Sequence, residues 1–144
     1  MYSDLQRFVA AGRMMAKLAV EKAKTATTAD EVIEAGPLLP AWKKGEYEVG
    51  DVRTRNRQPW RCVLAHDSTK QEGWGPGEAS ALWAPYHART EANALPWVQP
   101  YGSHDMYREG EYMIWTDENT YRCKMDTVYN PVEYPDAWEV TSGD

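Results

Sequence analysis

The chain has 144 residues, with 16 Lys and Arg against 22 Asp and Glu, a formal charge of −6. Apolar residues make up 42% and mean hydropathy is −0.71, and no stretch approaches the roughly 20 apolar residues that span a bilayer as a helix. Residues 1–40 hold five basic and five acidic side chains, so the whole deficit falls on residues 41–144, which lack the clustered Lys and Arg that nucleic acid or anionic lipid requires.

Residues 1–36 are predicted to form a helical segment. Ser3 and Gln6 make a capping box, and Asp4 suits the positive end of a helix. Leu5, Phe8, Val9, Met15, Leu18 and Ala19 then recur at three- and four-residue spacing, interrupted by Gly12. Thr28 and Glu31 make a second capping box, which predicts a short helix over Ala29–Ala35 with Gly36 at C′ and Pro37 as the stop. The segment reads as a docking or oligomerisation helix, or as one lying on its own domain. No basic run followed by an apolar one marks a secretory signal.

From residue 37 the helical period disappears, and Trp, Tyr, Gly and Pro become frequent. Gly50–Arg53, Trp60–Val63, Tyr112–Trp115 and Tyr121–Lys124 are predicted strands, with turn formers at Asn56–Pro59 and Thr116–Asn119. Small antiparallel hairpins follow. The chain carries 7 Trp and 9 Tyr but 1 Phe, and all seven Trp lie within 42–138. Their spacing is regular. Trp42 and Trp97, Trp74 and Tyr129, Pro76 and Pro131, and Trp83 and Trp138 are each 55 residues apart. Tyr47, Gly50 and Val52 match Tyr107, Gly110 and Tyr112 at 60, and Trp60-Arg61-Cys62 matches Tyr121-Arg122-Cys123 at 61. Two copies of one unit are therefore expected, within 37–87 and 88–144, with 88–94 as linker. Units this small need large side chains in the core, which assigns Trp42, Tyr47, Trp83, Trp97, Tyr107 and Trp138 there. Cys62 and Cys123 read as buried strand residues rather than a disulfide or metal clip.

Ala41, Trp42, Tyr47, Gly50-Asp51-Val52, Trp60-Arg61-Cys62, His66, Gly73-Trp74-Gly75-Pro76 and Leu82-Trp83 resemble the small chitin-binding type of carbohydrate-binding module, families 5 and 12, found on bacterial chitinases and phage tail-associated proteins. The second copy keeps Trp97, Tyr107, Gly110, Tyr121-Arg122-Cys123, Tyr129, Pro131 and Trp138, but not the His or the Gly-Trp pair. The first copy departs from the family's Asn-Gly turn, with Asn56-Arg57-Gln58-Pro59 in its place. The resemblance implies a mainly β fold of two small antiparallel β-sandwich-like modules behind the helical segment. It also implies non-catalytic binding of chitin, peptidoglycan or another cell-wall polysaccharide, with Trp74 as the stacking residue and Tyr129 its counterpart. His66, Glu72, Glu78 and Tyr134 are grouped with them as binding residues. The short helical segment ahead of such modules points to a phage or prophage tail protein located in the virion. Its partners would be other tail proteins or itself, through the helix.

Trp74 favours this role on its own residues: between Gly73 and Gly75 it has few neighbours, and a rigid indole offers a flat face to a pyranose at little entropic cost. The alternative is a structural adaptor of the virion that uses its β-units without binding sugar; a small glycoside hydrolase is the weaker third. Asp51, Glu72, Glu78, Asp126 and Glu133 lie in turn-like or charged contexts, unlike the general acid of a carboxylate pair. His66, His87 and His104 have no metal-ligand spacing, and no phosphate loop or nucleophile motif is present, so neither cofactor nor metal is expected.

Overall fold

The computed structural model describes residues 28–142. The capping box at Ser3 and the stripe from Leu5 to Ala19 lie outside these residues. Within them the chain is mostly β, with one α-helix near the start and several small sheets. The strands are β1 (Glu46–Tyr47), β2 (Val52–Arg55), β3 (Gln58–Cys62), β4 (His66–Asp67), β5 (Trp83–Pro85), β6 (Leu95–Pro96), β7 (Tyr112–Ile114), β8 (Thr120–Cys123) and β9 (Trp138–Ser142). They pair as β1-β4, β2-β3-β5 and β6-β7-β8-β9. None of the described helices is long and apolar enough to cross a membrane.

Helix α1 (Ala29–Ala35) starts where the capping box places it: the Thr28 hydroxyl accepts the Glu31 amide at 3.3 Å. Gly36 does not take the left-handed conformation common at C′. It stays right-handed (φ −46°), and with Pro37 it tightens into a 3₁₀ turn, Gly36–Leu38. The helix packs on the β-body. Val32 shares a core with Leu39 and Val52, backed by Tyr86. The Asp30 carboxylate accepts the Arg89 amide, the Thr90 hydroxyl and the Asn93 side-chain amide at 3.1–3.2 Å.

The β2–β3 hairpin has Arg55 opposite Gln58, which leaves Asn56 and Arg57 as a two-residue turn. Both have positive φ, 54° and 67°, as a type I′ turn demands. The turn is thus shorter than the predicted Asn56–Pro59, and Gln58 and Pro59 already belong to β3. Asn tolerates this region and Arg does not, because its Cβ crowds the backbone. Arg57→Gly is therefore expected to raise stability by about 0.5–1 kcal/mol, read as a higher urea midpoint at unchanged m-value. In the β7–β8 hairpin the Trp115 amide donates to the Asn119 carbonyl at 3.0 Å and closes a three-residue loop that ends on Glu118 (φ 68°). The Tyr121 hydroxyl, 2.7 Å from the Asp117 carboxylate, holds that carboxyl below its usual range and braces the loop.

The expectation of antiparallel hairpins alone fails at one place in each half. β6 runs parallel to β7, and Ala41 makes an isolated parallel bridge to Thr54. A parallel neighbour needs a connection of about a dozen residues, and residues 97–111 supply it in the second half.

The two halves repeat several interactions. Trp42 donates its amide to Thr54 at 2.8 Å, and Trp97 to Ile114 at 2.9 Å. The Tyr47 hydroxyl accepts the Lys43 amide, and the Tyr107 hydroxyl the Val98 amide. Gly50 and Gly110 have φ of 94° and 89°, and each donates to the carbonyl of the strand cysteine, Cys62 or Cys123, at 2.9 Å. Each cysteine Sγ donates to the carbonyl two residues on, Leu64 or Met125. One core holds Tyr47, Trp60, Cys62 and Trp83, with Trp42, Leu82 and Val98 at its margin. The other holds Tyr107, Met113, Cys123, Ala137 and Trp138, flanked by Trp97, Trp115 and Tyr121. Trp115, which the repeat leaves without a counterpart, sets its edge on Trp97 at 5.6 Å.

The halves also touch. Val98 joins the first core, and the His87 ring stacks on Tyr107 at 3.7 Å between centroids. Segment 88–94 is packed rather than a free tether: Ala88 is fully buried and bridges Tyr112.

Both cysteines are free and have no exposed surface. Burial pushes the Cys62 thiol up and the Cys123 thiol up to about 11. Thiolate is the reactive form, so neither is expected to react with a disulfide reagent at pH 8 in the native protein. Both should react once urea unfolds it, which a spectrophotometric thiol count would check.

Candidate functional site

The chain leaves β4 at Asp67 and returns at β5 through a loop that presents Trp74. Gly73 and Gly77 have φ of 76° and 86°, conformations that side chains with a Cβ rarely adopt. Gly75 is required for a different reason. It is buried on the Trp42 ring, and a Cβ there would lie 3.0–3.1 Å from ring carbons.

The loop is pinned from two sides. Trp83 Nε1 donates to the Trp74 carbonyl at 3.2 Å from inside the core. From β2, the Arg55 guanidinium lies over the Trp42 ring at 4.8 Å, donates to the Pro76 carbonyl at 3.1 Å and pairs with Glu78. Gly75 O accepts the amides of Glu78 and Ala79 at 3.0 Å. The Trp74 backbone is thus fixed while its side chain is 36% exposed. The nearest ring is the edge of His66, 6.3 Å away between centroids.

His66 sits between Trp74 and the core. Its ring lies 5.7 Å from Tyr47 and 5.6 Å from Trp83, and Nδ1 is 2.7 Å from the Leu64 carbonyl. That contact makes Nδ1 the protonated nitrogen. Nε2 is buried without a hydrogen-bond partner. The geometry suits His66 to backing the loop, and its Nε2 is not open to solvent. The two predicted carboxylates lie nearby in ion pairs, Glu72 with Lys44 and Glu78 with Arg55. Glu78 also approaches the Trp74 loop: its Oε2 would lie 3.8 Å from a Cβ on Gly73.

The second half has a parallel arrangement. Trp138 Nε1 donates to the Tyr129 carbonyl at 3.0 Å, again across nine residues. Tyr129 is 51% exposed and Tyr134 41%, and their rings are near parallel (16°) with centroids 6.5 Å apart. The Asn130 side-chain oxygen accepts the amides of Val132 and Glu133, and Tyr134 donates its amide to Asn130, which closes the loop between the two tyrosines. Thr127, equivalent to His66 by its bridge to Tyr107, accepts the Tyr129 amide through its hydroxyl.

The structure therefore gathers Trp74, His66, Glu72 and Glu78 around one loop, and Tyr129 and Tyr134 around another. Sequence reasoning passed over Arg55. Nothing in its local sequence signals a role, and only the fold brings it to the Pro76 carbonyl.

Compared with known proteins, the chain matches no protein-family model and no curated protein.

Proposed function

We propose that residues 37–87 and 88–144 are two copies of one small carbohydrate-binding module of the chitin-binding type. On this reading the protein binds a cell-surface polysaccharide without cleaving it, as a phage or prophage tail-associated adhesion protein of the virion. The observation that carries it is Trp74: the core holds its backbone rigidly while leaving its indole unused. Trp83 Nε1 and Arg55 fix the loop from the core side, so the indole keeps one place at the surface. A preformed aromatic face loses little entropy on meeting a sugar ring.

The hydrogen bonds repeated at equivalent positions support two copies. Absence of cleavage is supported by how the candidate carboxylates are engaged. Glu72 and Glu78 are ion-paired, Asp126 pairs with Arg108, and Glu133 and Asp51 accept turn amides.

The test is retention of the full chain on insoluble chitin, peptidoglycan and cellulose, paired with sedimentation. Retention on chitin or peptidoglycan in a form that sediments as a folded particle is expected. No retention on any of them, together with an oligomer that dissociates when residues 1–27 are removed, would favour the adaptor reading.

A further inference from the structure

A cleft that Trp74 does not line lies on the seam between the halves. It has a volume of about 440 Å³ and is lined by Arg61, Tyr86 and His87 from one side and His104, Asp105 and Arg108 from the other. That is within the range of small-ligand sites, about 300–1,000 Å³.

The free hydrogen-bonding capacity of this cleft is that of a donor. Its carboxylates are already occupied. Asp105 accepts the Tyr101 amide at 2.9 and 3.1 Å and the Gly102 amide at 2.9 Å. Glu111, which also lines the cleft, accepts the Arg108 amide at 2.6 Å and stands 3.3 Å from His87 Nδ1. Arg108 spends one nitrogen on Asp126 and another on the Ser103 carbonyl. Arg61 is different: among the described residues no carboxylate pairs with it, and it lines the cleft beside Tyr86.

The second half shows what a structural arginine at this position does. Arg122 occupies the same place in β8 that Arg61 occupies in β3, next to the buried cysteine. Its cross-strand neighbour in β9 is Glu139, and the two form an ion pair at 3.4 Å. Opposite Arg61, in β5, the corresponding residue is Ala84, which lines the cleft. The first half thus keeps the cation and has an alanine where the second has the carboxylate. An unneutralised guanidinium in a walled cleft of an acidic protein is a bidentate anchor for an oxyanion.

We propose that the seam cleft is a separate binding site for an oxyanion, the carboxylate or phosphate of an acidic sugar or similar small molecule, with Arg61 as its anchor. The site does not depend on the stacking role of Trp74.

Isothermal titration of the full chain at low ionic strength tests it, with D-glucuronate and inorganic phosphate as probes and glucose as the neutral control. Saturable binding at one site per chain is expected for at least one anion, and which anion binds identifies carboxylate or phosphate as the natural group. Arg61→Gln should weaken it roughly tenfold or more, the loss of a charge-assisted pair. Ala84→Glu should do the same by rebuilding the internal pair of the second half. Arg122→Gln and Trp74→Ala should leave it within about twofold. Anions that bind no better than glucose, or equal binding by wild type and Arg61→Gln, would overturn the proposal. Arg61 is exposed, so its variant should fold, and a circular dichroism melt checks this.

Discussion

Trp83→Ala is expected to lower the unfolding free energy by about 3–5 kcal/mol, the range for truncating a fully buried Trp. Trp83 is 1% exposed and meets Tyr47 edge-on at 5.0 Å and His66 at 5.6 Å. Its removal leaves a cavity in a core of few residues and deprives the Trp74 carbonyl of its donor. Domains of this kind have roughly 5–15 kcal/mol to lose, so the variant should unfold at a much lower urea concentration. Trp83→Phe separates the two effects. It keeps most of the ring volume and removes the Nε1 bond, at a cost of about 1–3 kcal/mol. It should also weaken glycan retention, because the Trp74 loop loses one of its two pins. A Trp83→Phe protein that is destabilised yet retained like wild type would show that Arg55 alone holds the loop.

Tyr129→Ala is expected to lower apparent affinity for an insoluble polysaccharide by about tenfold to a hundredfold. Its affinity for a short soluble oligosaccharide, which one loop can engage alone, should change by less than about twofold. Two linked sites on one strand of polymer convert the second contact into an intramolecular one, and avidity gains of that order follow without new contacts. The rings of Tyr129 and Tyr134 are exposed, so little core packing is lost. Unchanged retention on the polymer would mean that the second half does not bind sugar.

The parts of this structure that were legible in the sequence are those set by spacing. Paired aromatics 55–61 residues apart marked Trp83 and Trp138, and both are buried. Short runs set between turn formers located β2, β3, β7 and β8 to within about two residues, and Thr28 with Glu31 located α1. What was not legible depends on chain approach. Nothing local signals that β6 lies parallel to β7, because the strand is two residues long and its partner is supplied by a long connection. The docking of Asp30 on Arg89, Thr90 and Asn93 joins residues about sixty apart and has no periodic mark. Glu72 and Glu78 were visible as acidic residues beside Trp74, but their pairing with Lys44 and Arg55 was not, since a charge does not announce its partner. Gly36 misled for a physical reason. Glycine after a helix commonly turns left-handed, yet here Pro37 sits well in the first turn of a following 3₁₀ segment and keeps the chain right-handed.

The central claim is that Trp74 is a sugar-stacking face held out by the fold and not needed by it. The direct measurement is retention of Trp74→Ala beside wild type on insoluble chitin and peptidoglycan, with urea midpoints taken on the same preparations. The variant should lose most of its retention while its unfolding free energy stays within about 1 kcal/mol of wild type, as for a partly exposed side chain. Wild-type retention by a folded Trp74→Ala protein would contradict it.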